Sequence, residues 1–99
     1  MPRMVAENLF QRLRQLKPQI KERYKAKQLQ LFGSFVRGEQ KGSSDIDILV
    51  DFEEGADLFD LIGLEIYLEE ELERKVDVVP RRALRVELQE SILREAVSI

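Results

Sequence analysis

The chain has 99 residues, enough for one domain but not for two domains with separate hydrophobic cores. It contains no cysteine and no histidine, which excludes disulfides, thiolate- or imidazole-bound metals and histidine-based nucleophilic catalysis. The net charge is −3, but residues 1–44 carry ten Lys and Arg against three Glu, whereas residues 45–99 carry six against sixteen Asp and Glu. The acidic total argues against a general nucleic-acid-coating protein. The divided charge suits either an acidic site that needs cations or a charged partner surface.

No apolar run is long enough to cross a bilayer, and the opening Met1-Pro2-Arg3 does not begin a signal peptide. No repeat, linker or low-complexity tract divides the chain. We therefore expect one soluble, cytoplasmic domain over residues 1–99 that does not act at a membrane.

The N-terminal quarter has the spacing of an amphipathic helix. Apolar residues recur every three or four positions at Val5, Leu9, Leu13, Leu16, Ile20 and Tyr24. Because proline disrupts a helix interior, Pro18 predicts a first helix to about Leu16 and a short continuation from Pro18. Residues 28–32 then alternate polar and apolar, which predicts a half-buried strand ending at Gly33. A single helical turn over 34–37 and a polar loop over 38–44 follow.

Residues 45–52 alternate between apolar and acidic side chains and predict a second strand. Its apolar face carries Ile46, Ile48, Val50 and Phe52, while Asp45, Asp47 and Asp51 share the other face with Leu49. Asp57 is the predicted N-cap of a helix that runs to about Glu73. The predicted inward residues of this helix are Leu58, Leu61, Ile62, Leu68 and Leu72.

The C-terminal quarter predicts a third strand and a last helix. Residues 75–79 place Asp77 opposite two valines, and Pro80 closes the strand. The last helix is predicted from the spacing of Leu84, Leu88, Ile92 and Ala96, with Leu93 and Val97 beside them. The resulting order of elements predicts an α/β or α+β fold, a small sheet covered by helices.

Three aspartates are the candidate catalytic and metal-binding residues. Asp45 and Asp47, two apart on a strand, project from one face about 6.6–6.8 Å apart at Cα. Carboxylates so placed suit hard cations such as Mg²⁺, which also relieve the mutual repulsion of the acids. Asp77 joins them if its strand is adjacent, either as general base for an attacking hydroxyl or as a further ligand. Asp51 lies about 13 Å farther along the strand than Asp47 and is excluded.

The Gly33-Ser34 step is the candidate phosphate-binding site. A glycine at a strand end lets the backbone approach a ligand, and a serine at the start of a helical turn adds a hydroxyl beside backbone N–H donors. Arg37, one turn later, can bond the same phosphates. Ser44 either holds the loop or contacts phosphate.

Each of these features taken alone is common in proteins that have no such site. Gly33-Ser34 is typical of a turn with an N-cap, and Asp45 with Asp47 is typical of the solvated face of an edge strand. Asp77 and Arg37 are ordinary surface charges by themselves. The functional interpretation therefore depends on their combination.

The combination resembles the signature of the DNA polymerase β-type nucleotidyltransferase superfamily. Gly33-Ser34, ten intervening residues and then Asp45-Ile46-Asp47 carry the resemblance. The stretches 31–38, 44–52, 75–79 and 92–97 resemble more narrowly its minimal nucleotidyltransferases, MntA-like antitoxins encoded beside HEPN-domain ribonuclease toxins. Two positions depart from the usual pattern: Val36 replaces alanine, and Ser98 replaces an aromatic residue.

The resemblance implies a mixed β-sheet packed with helices and a two-metal transfer of a nucleoside monophosphate from an NTP to a hydroxyl. Asp45 and Asp47 would bind Mg²⁺, Asp77 would complete the triad, and Gly33 and Ser34 would hold the triphosphate of ATP. The acceptor in that group is a tyrosine of the partner toxin, which is adenylylated and inactivated. The short chain has no acceptor-binding domain of its own, so we expect the acceptor to be another polypeptide.

Two alternatives stay open at the level of sequence. The first is a non-catalytic, NTP-binding antitoxin that neutralises its partner by stoichiometric contact, although such a binder has no need of a complete acid triad. The second is transfer to a nucleic-acid 3′ end or to a small molecule, against which the acidic charge and the absence of a second domain argue. The sequence leaves the donor base and any homo-oligomer undetermined.

Overall fold

The computed structural model describes residues 6–41 and 43–99. Within these residues, nine elements follow one another: α1 (Ala6–Tyr24), β1 (Ala26–Phe32), α2 (Ser34–Arg37), β2 (Ile46–Phe52), α3 (Leu58–Leu72), β3 (Val76–Pro80), a 3₁₀ helix (Arg81–Ala83), α4 (Val86–Glu95) and β4 (Val97–Ser98). Val5, the first residue of the predicted N-terminal stripe, lies outside the described residues. In the described part of the chain, no helix is both long and apolar enough to cross a membrane.

The four strands form one mixed sheet in the order β3-β2-β1-β4. β1 pairs antiparallel with β2 and with β4, whereas β2 and β3 run parallel. The parallel pair is joined by α3, as a parallel connection requires a crossover. The predicted class, a small sheet covered by helices, is confirmed.

The hydrophobic core lies between one face of the sheet and the helices α1 and α3. Alternation along β2 turns Ile46, Ile48 and Val50 toward this core, where each is fully buried. The helices contribute their buried leucine and isoleucine stripes to it: Leu9, Leu13, Leu16 and Ile20 from α1, and Leu64, Leu68 and Leu72 from α3. The opposite face of the sheet carries the acidic side chains of β2 and β3.

The predicted break of α1 at Pro18 is wrong, because Pro18 lies inside one continuous helix. Proline leaves the carbonyl of the residue four positions earlier, Arg14, without its helical donor. Arg14 is on the exposed side of α1, where water can bond that carbonyl, while Leu16 and Ile20 on either side of Pro18 are buried. Tertiary packing therefore holds the helix together.

The predicted inward face of α3 is partly wrong. Leu68 and Leu72 are buried and Leu61 is half-buried, but Leu58 and Ile62 are 65% and 47% exposed. α3 is apolar on more than one side, so helical periodicity alone does not identify which stripe packs on the sheet. The predicted N-cap is confirmed. The Asp57 side chain accepts a hydrogen bond from the backbone N–H of Asp60, and the Asp60 side chain accepts one from the backbone N–H of Asp57.

The chain end also differs from its prediction. α4 stops at Glu95, and Val97, predicted to continue the helix, pairs with Leu31 as part of β4. Two residues are too short to give a strand periodicity, and β4 exists because β1 offers an edge for pairing. The other strands deviate by one or two residues at their ends, with β2 beginning at Ile46 rather than Asp45 and β1 beginning at Ala26.

Candidate active site

Asp47 and Asp77 are side by side on the two parallel strands. Asp47 pairs in register with Asp77, just as Ile48 pairs with Val78. Residues in register on parallel neighbours point to the same face, with strands about 4.8 Å apart. Asp47 is half-buried and Asp77, on the edge strand, is exposed. The sheet topology therefore brings together two acids that are thirty positions apart in the chain.

Gly33 lies directly beneath the Asp47 carboxylate. Phe32, the last residue of β1, pairs with Asp47, and Gly33 continues from it with φ +83° and ψ −154°, a conformation favoured by glycine. A Cβ at position 33 would overlap Oδ2 of Asp47 and lie 3.1 Å from its Cγ. The space that a Cβ would take at Gly33 is therefore filled by an acidic side chain, and phosphate binding at Gly33 stays a prediction.

The helical turn α2 orients Arg37 toward the same region. The Gly33 carbonyl accepts from the backbone N–H groups of Val36 and Arg37 at 3.0 and 3.2 Å. Arg37 donates from Nη1 to Glu95 at 2.7 Å and from Nε to Glu39 at 2.8 Å. The same oxygen of Glu95 accepts from the Gly33 N–H at 3.2 Å. One carboxylate from the end of α4 therefore binds both ends of the turn.

Burial and neighbouring carboxylates raise the pKa of Asp47 from its ordinary 3.8 to about 6. Desolvation is the largest cause, followed by the charges of Asp77 and Asp45, and Arg37 opposes them. The hydrogen bond to Glu39, followed by the charge of Glu95, raises the pKa of the already charged Arg37. The site thus concentrates negative charge around a half-buried acid, and the charge of Arg37 opposes it.

A cleft of about 470 Å³ lies between the sheet and α4, and Asp47, Asp77 and Arg37 are among the residues that line it. Its polar members are Gly33, Arg37, Asp47, Asp77, Arg85 and Glu95, and its apolar members are Phe32, Val79, Ala83, Leu84, Leu88 and Ile92. An acidic floor with an apolar wall and two guanidinium groups fits a ligand that has both a phosphate chain and a ring.

Four of the predicted site residues, Gly33, Arg37, Asp47 and Asp77, meet in this cleft, whereas Asp45, Ser34 and Ser44 are not among its lining residues. Asp45 is exposed just before β2, close enough for its charge to act on Asp47. Ser34 is half-buried as the first residue of α2.

Ser44 belongs to the loop after α2. Its hydroxyl accepts from the Lys41 N–H at 2.7 Å, which is the loop-holding alternative of the two considered for it. Arg74 supports the same loop by donating to the carbonyls of Ser44 and Lys41. Its guanidinium also lies over the ring of Phe35.

The donor chemistry of the site fits Mg²⁺, although the full triad does not converge in this structure. Asp45, Asp47 and Asp77 offer only hard oxygen ligands, and the pKa of Asp47 is raised first by burial and then by the charges of Asp77 and Asp45. In residues 6–41 and 43–99, however, no three acidic side chains form a metal-binding cluster. Asp47 and Asp77 share the cleft, and Asp45 is the member outside it.

Sequence reasoning missed Glu95, Arg74 and the cleft wall contributed by Arg85, Leu88 and Ile92. Glu95 is 62 positions from Gly33, and no local pattern connects them. The apolar wall residues have the spacing of an ordinary core-facing helix stripe, so nothing in the sequence separates them from core residues.

Comparison with known proteins relates the sequence and fold of this chain to nucleotidyltransferases. Residues 13–99 match the family model described as a nucleotidyltransferase domain. The protein adenylyltransferase MntA of Thermococcus cleftensis is 45% identical over 83 residues, which cover 84% of each chain.

Solved structures share the whole fold. A structure assigned as a minimal nucleotidyltransferase matches with a TM-score of 0.86 and 39% identity over 100% of both chains. A crystal structure of a toxin–antitoxin with AMP-PNP matches with a TM-score of 0.68 and 26% identity, over 96% of this chain and 72% of that one.

Proposed function

The chain belongs to the nucleotidyltransferase domain family, and from that membership we propose that it transfers AMP from ATP to a tyrosine hydroxyl of a HEPN-type toxin. It thereby acts as the antitoxin of the pair. The observation that carries the proposal is the pairing of Asp47 with Asp77 opposite the Gly33–Arg37 turn in one cleft. The name of the 45% identical relative and the toxin–antitoxin complex with AMP-PNP support the same reaction class.

The Gly33–Arg37 turn binds the triphosphate. The Arg37 guanidinium supplies charge-assisted hydrogen bonds, and the Ser34 hydroxyl, at the start of α2, supplies a further donor. Gly33 has no Cβ, which leaves room beside its backbone for the Asp47 carboxylate. Ser44 acts indirectly by holding the loop that follows the turn.

Asp45, Asp47 and Asp77 would hold Mg²⁺, with two ions expected from the family resemblance. When bound, Mg²⁺ supplies neutralisation of the phosphate charge and of the charge that develops on the attacking and leaving oxygens. The protein needs no histidine for this chemistry, because positioning and charge neutralisation dominate phosphoryl transfer.

The acceptor hydroxyl oxygen forms a bond to the α-phosphorus of ATP, and the bond from that phosphorus to the β-phosphate bridging oxygen breaks. Pyrophosphate leaves with the electron pair, and AMP remains on the acceptor. Asp77 receives the hydroxyl proton, because it lies on the exposed edge strand where an acceptor from another chain can reach it. The reaction takes place in the cytoplasm, where ATP is available.

Incubation with α-labelled ATP, Mg²⁺ and the protein encoded by the neighbouring gene tests the proposal. We expect label on a tyrosine of that protein, and Asp47→Ala should abolish transfer because it removes a carboxylate of the site and no core contact. Asp51→Asn, on the same strand face but outside the cleft, is the matched control and should retain transfer.

Ser34→Ala should reduce transfer less than Asp47→Ala does, since one phosphate hydrogen bond contributes about 1.5–3 kcal/mol. Neutralisation by an Asp45→Asn/Asp47→Asn double variant, without any label transfer by the wild type, would instead favour a stoichiometric binder. Equal losses for Ser34→Ala and Asp47→Ala would contradict the role assigned to Ser34.

A further inference from the structure

The outward side of α3 is an exposed apolar surface. Four of the seven large exposed hydrophobic side chains in the described part of the chain lie on this helix. They are Leu58, Phe59, Ile62 and Ile66, exposed by 65%, 84%, 47% and 51%, and we call them the α3 outer face. Their spacing of three and four residues makes them one continuous stripe on the side opposite Leu64 and Leu68. Such a stripe is typical of a protein–protein interaction site.

The α3 outer face continues into a second, mostly apolar cleft of about 270 Å³. Leu58 belongs to both, and the other lining residues are Phe52, Ala56, Asp57, Leu61, Pro80, Arg82 and Ala83. Ala83 also lines the acidic cleft that contains Asp47 and Asp77. The second cleft therefore borders both the N-terminal end of the α3 outer face and the acidic cleft, which lie on opposite faces of the sheet.

The charge around this surface identifies the kind of partner. Residues 53–73 contain nine Asp and Glu and no Lys or Arg. Glu53, Glu54 and Asp57 are exposed at the N-terminal end of α3, and Glu70 and Glu73 are exposed at its C-terminal end. A complementary surface has an apolar centre bordered by lysine and arginine.

The same charges disfavour a second copy of this chain and other anionic occupants. In a two-fold contact between α3 helices, an antiparallel arrangement places the acidic N-terminal end against the acidic C-terminal end of the copy. A parallel arrangement places each acidic end against itself, so both arrangements bring like charges together. Nucleic acid and anionic membranes are repelled for the same reason.

We propose that the α3 outer face is the docking surface for the acceptor protein of the transfer reaction, a partner that presents an apolar patch bordered by basic residues. This inference rests on the proposed function. Docking at α3 places the acceptor over the second cleft, from which its hydroxyl-bearing segment reaches the acidic cleft past Ala83.

A binding experiment with matched variants tests the docking surface. The affinity of the purified chain for the protein encoded by the neighbouring gene is measured by calorimetry for the wild type, Phe59→Ser/Ile66→Ser and Val86→Ser. The double variant should raise Kd at least about 20-fold, because exposed apolar residues at an interface centre dominate binding. Val86, 80% exposed on α4, is the control, and its substitution should change Kd less than about twofold.

Two further measurements distinguish partner docking from self-association and from a loss of folding. Glu70→Lys/Glu73→Lys should weaken binding to the basic partner. The Phe59→Ser/Ile66→Ser variant should bind ATP with wild-type affinity and have the wild-type Tm, which shows that it is folded. Unchanged partner affinity in the α3 variants overturns the docking surface. A wild-type dimer in light scattering that becomes monomeric in Phe59→Ser/Ile66→Ser overturns it too, in favour of a second copy.

Failure of the proposed function looks different. A complex that forms but carries no label refutes the transfer reaction, while the α3 variants still decide whether this face holds the partner. If every α3 variant transfers the label and binds the partner with wild-type affinity, the docking surface is refuted and the transfer reaction is not. The absence of any complex with the wild-type chain refutes both.

Discussion

The Asp47 carboxylate lies so close to Gly33 that it can keep its position only because residue 33 has no Cβ. We expect Gly33→Ala to destabilise the protein by about 2–4 kcal/mol, because it combines a disfavoured backbone conformation with overlap at Asp47. Transfer should be lost as well, since the Asp47 carboxylate has to move. Urea denaturation and the labelled-ATP assay measure the two effects.

Gly38→Ala is the control for Gly33→Ala. Gly38 also has a positive φ, +73°, but a Cβ there meets nothing within 4 Å. The cost should be about 1 kcal/mol, from backbone strain alone, with transfer retained. Equal losses of stability in the two variants would show that Gly33 matters only for its backbone conformation.

The raised pKa of Asp47 makes the Mg²⁺-free protein less stable at neutral pH. Because the folded pKa, about 6, exceeds the ordinary 3.8, the folded state binds more protons than the unfolded state between these values. The free energy of unfolding therefore falls as pH rises through this range and stays lower above it. Asp47→Asn should remove this loss and stabilise the protein at pH 7.5 by about 1–2 kcal/mol, after allowance for solvent screening of a half-exposed group.

Denaturation in EDTA at pH 4 and pH 7.5 measures this effect. The wild type should lose stability relative to Asp47→Asn between the two values, and Asp51→Asn should follow the wild type. A constant difference between the wild type and Asp47→Asn across pH would contradict the shift.

The two sides of α3 differ in how much they contribute to the stability of the fold. Leu68 is fully buried against the sheet, whereas Ile62 on the same helix is 47% exposed. Leu68→Ala should cost about 2–5 kcal/mol, as buried leucines do. Ile62→Ala should cost less than about 1 kcal/mol, because much of its side chain stays in water in the folded state. Tm and urea midpoints compare the two, and a large loss for Ile62→Ala would place that residue in the core.

The overall fold brings the Glu95 carboxylate, from the C-terminal end of α4, to the Gly33–Arg37 turn that we propose as the phosphate-binding site. Glu95 accepts from Gly33 and Arg37, the two donors that a phosphate oxygen would otherwise take. We therefore expect Glu95→Gln to bind ATP several-fold more tightly, since it keeps the shape of the contact and removes a negative charge.

Glu39→Gln is the matched variant, because Glu39 also pairs with Arg37 but is not among the residues that line the cleft. Calorimetry with ATP should show less than about a twofold change in its Kd. Weaker binding by Glu95→Gln would mean that Glu95 positions the turn for phosphate instead of competing with it.

The amino-acid sequence was sufficient to predict the elements that have a strong local signal. The alternation of residues 46–52, the Asp57 cap and the glycine after β1 each depend on neighbours within a few positions, so local physical chemistry was sufficient to predict them. It also determined the chemistry of the acids, because a chain without histidine or cysteine offers only hard oxygen ligands to a metal.

Which side chains meet depends on long-range packing and strand pairing. Strand order placed Asp77 beside Asp47 and left Asp45 outside the cleft, and packing on the sheet kept α1 intact across Pro18. The same packing chose which apolar stripe of α3 is buried, paired Val97 with β1, and brought Glu95 to Gly33. These outcomes depend on the free energy of contacts between residues far apart in the chain, which a local sequence pattern does not reveal.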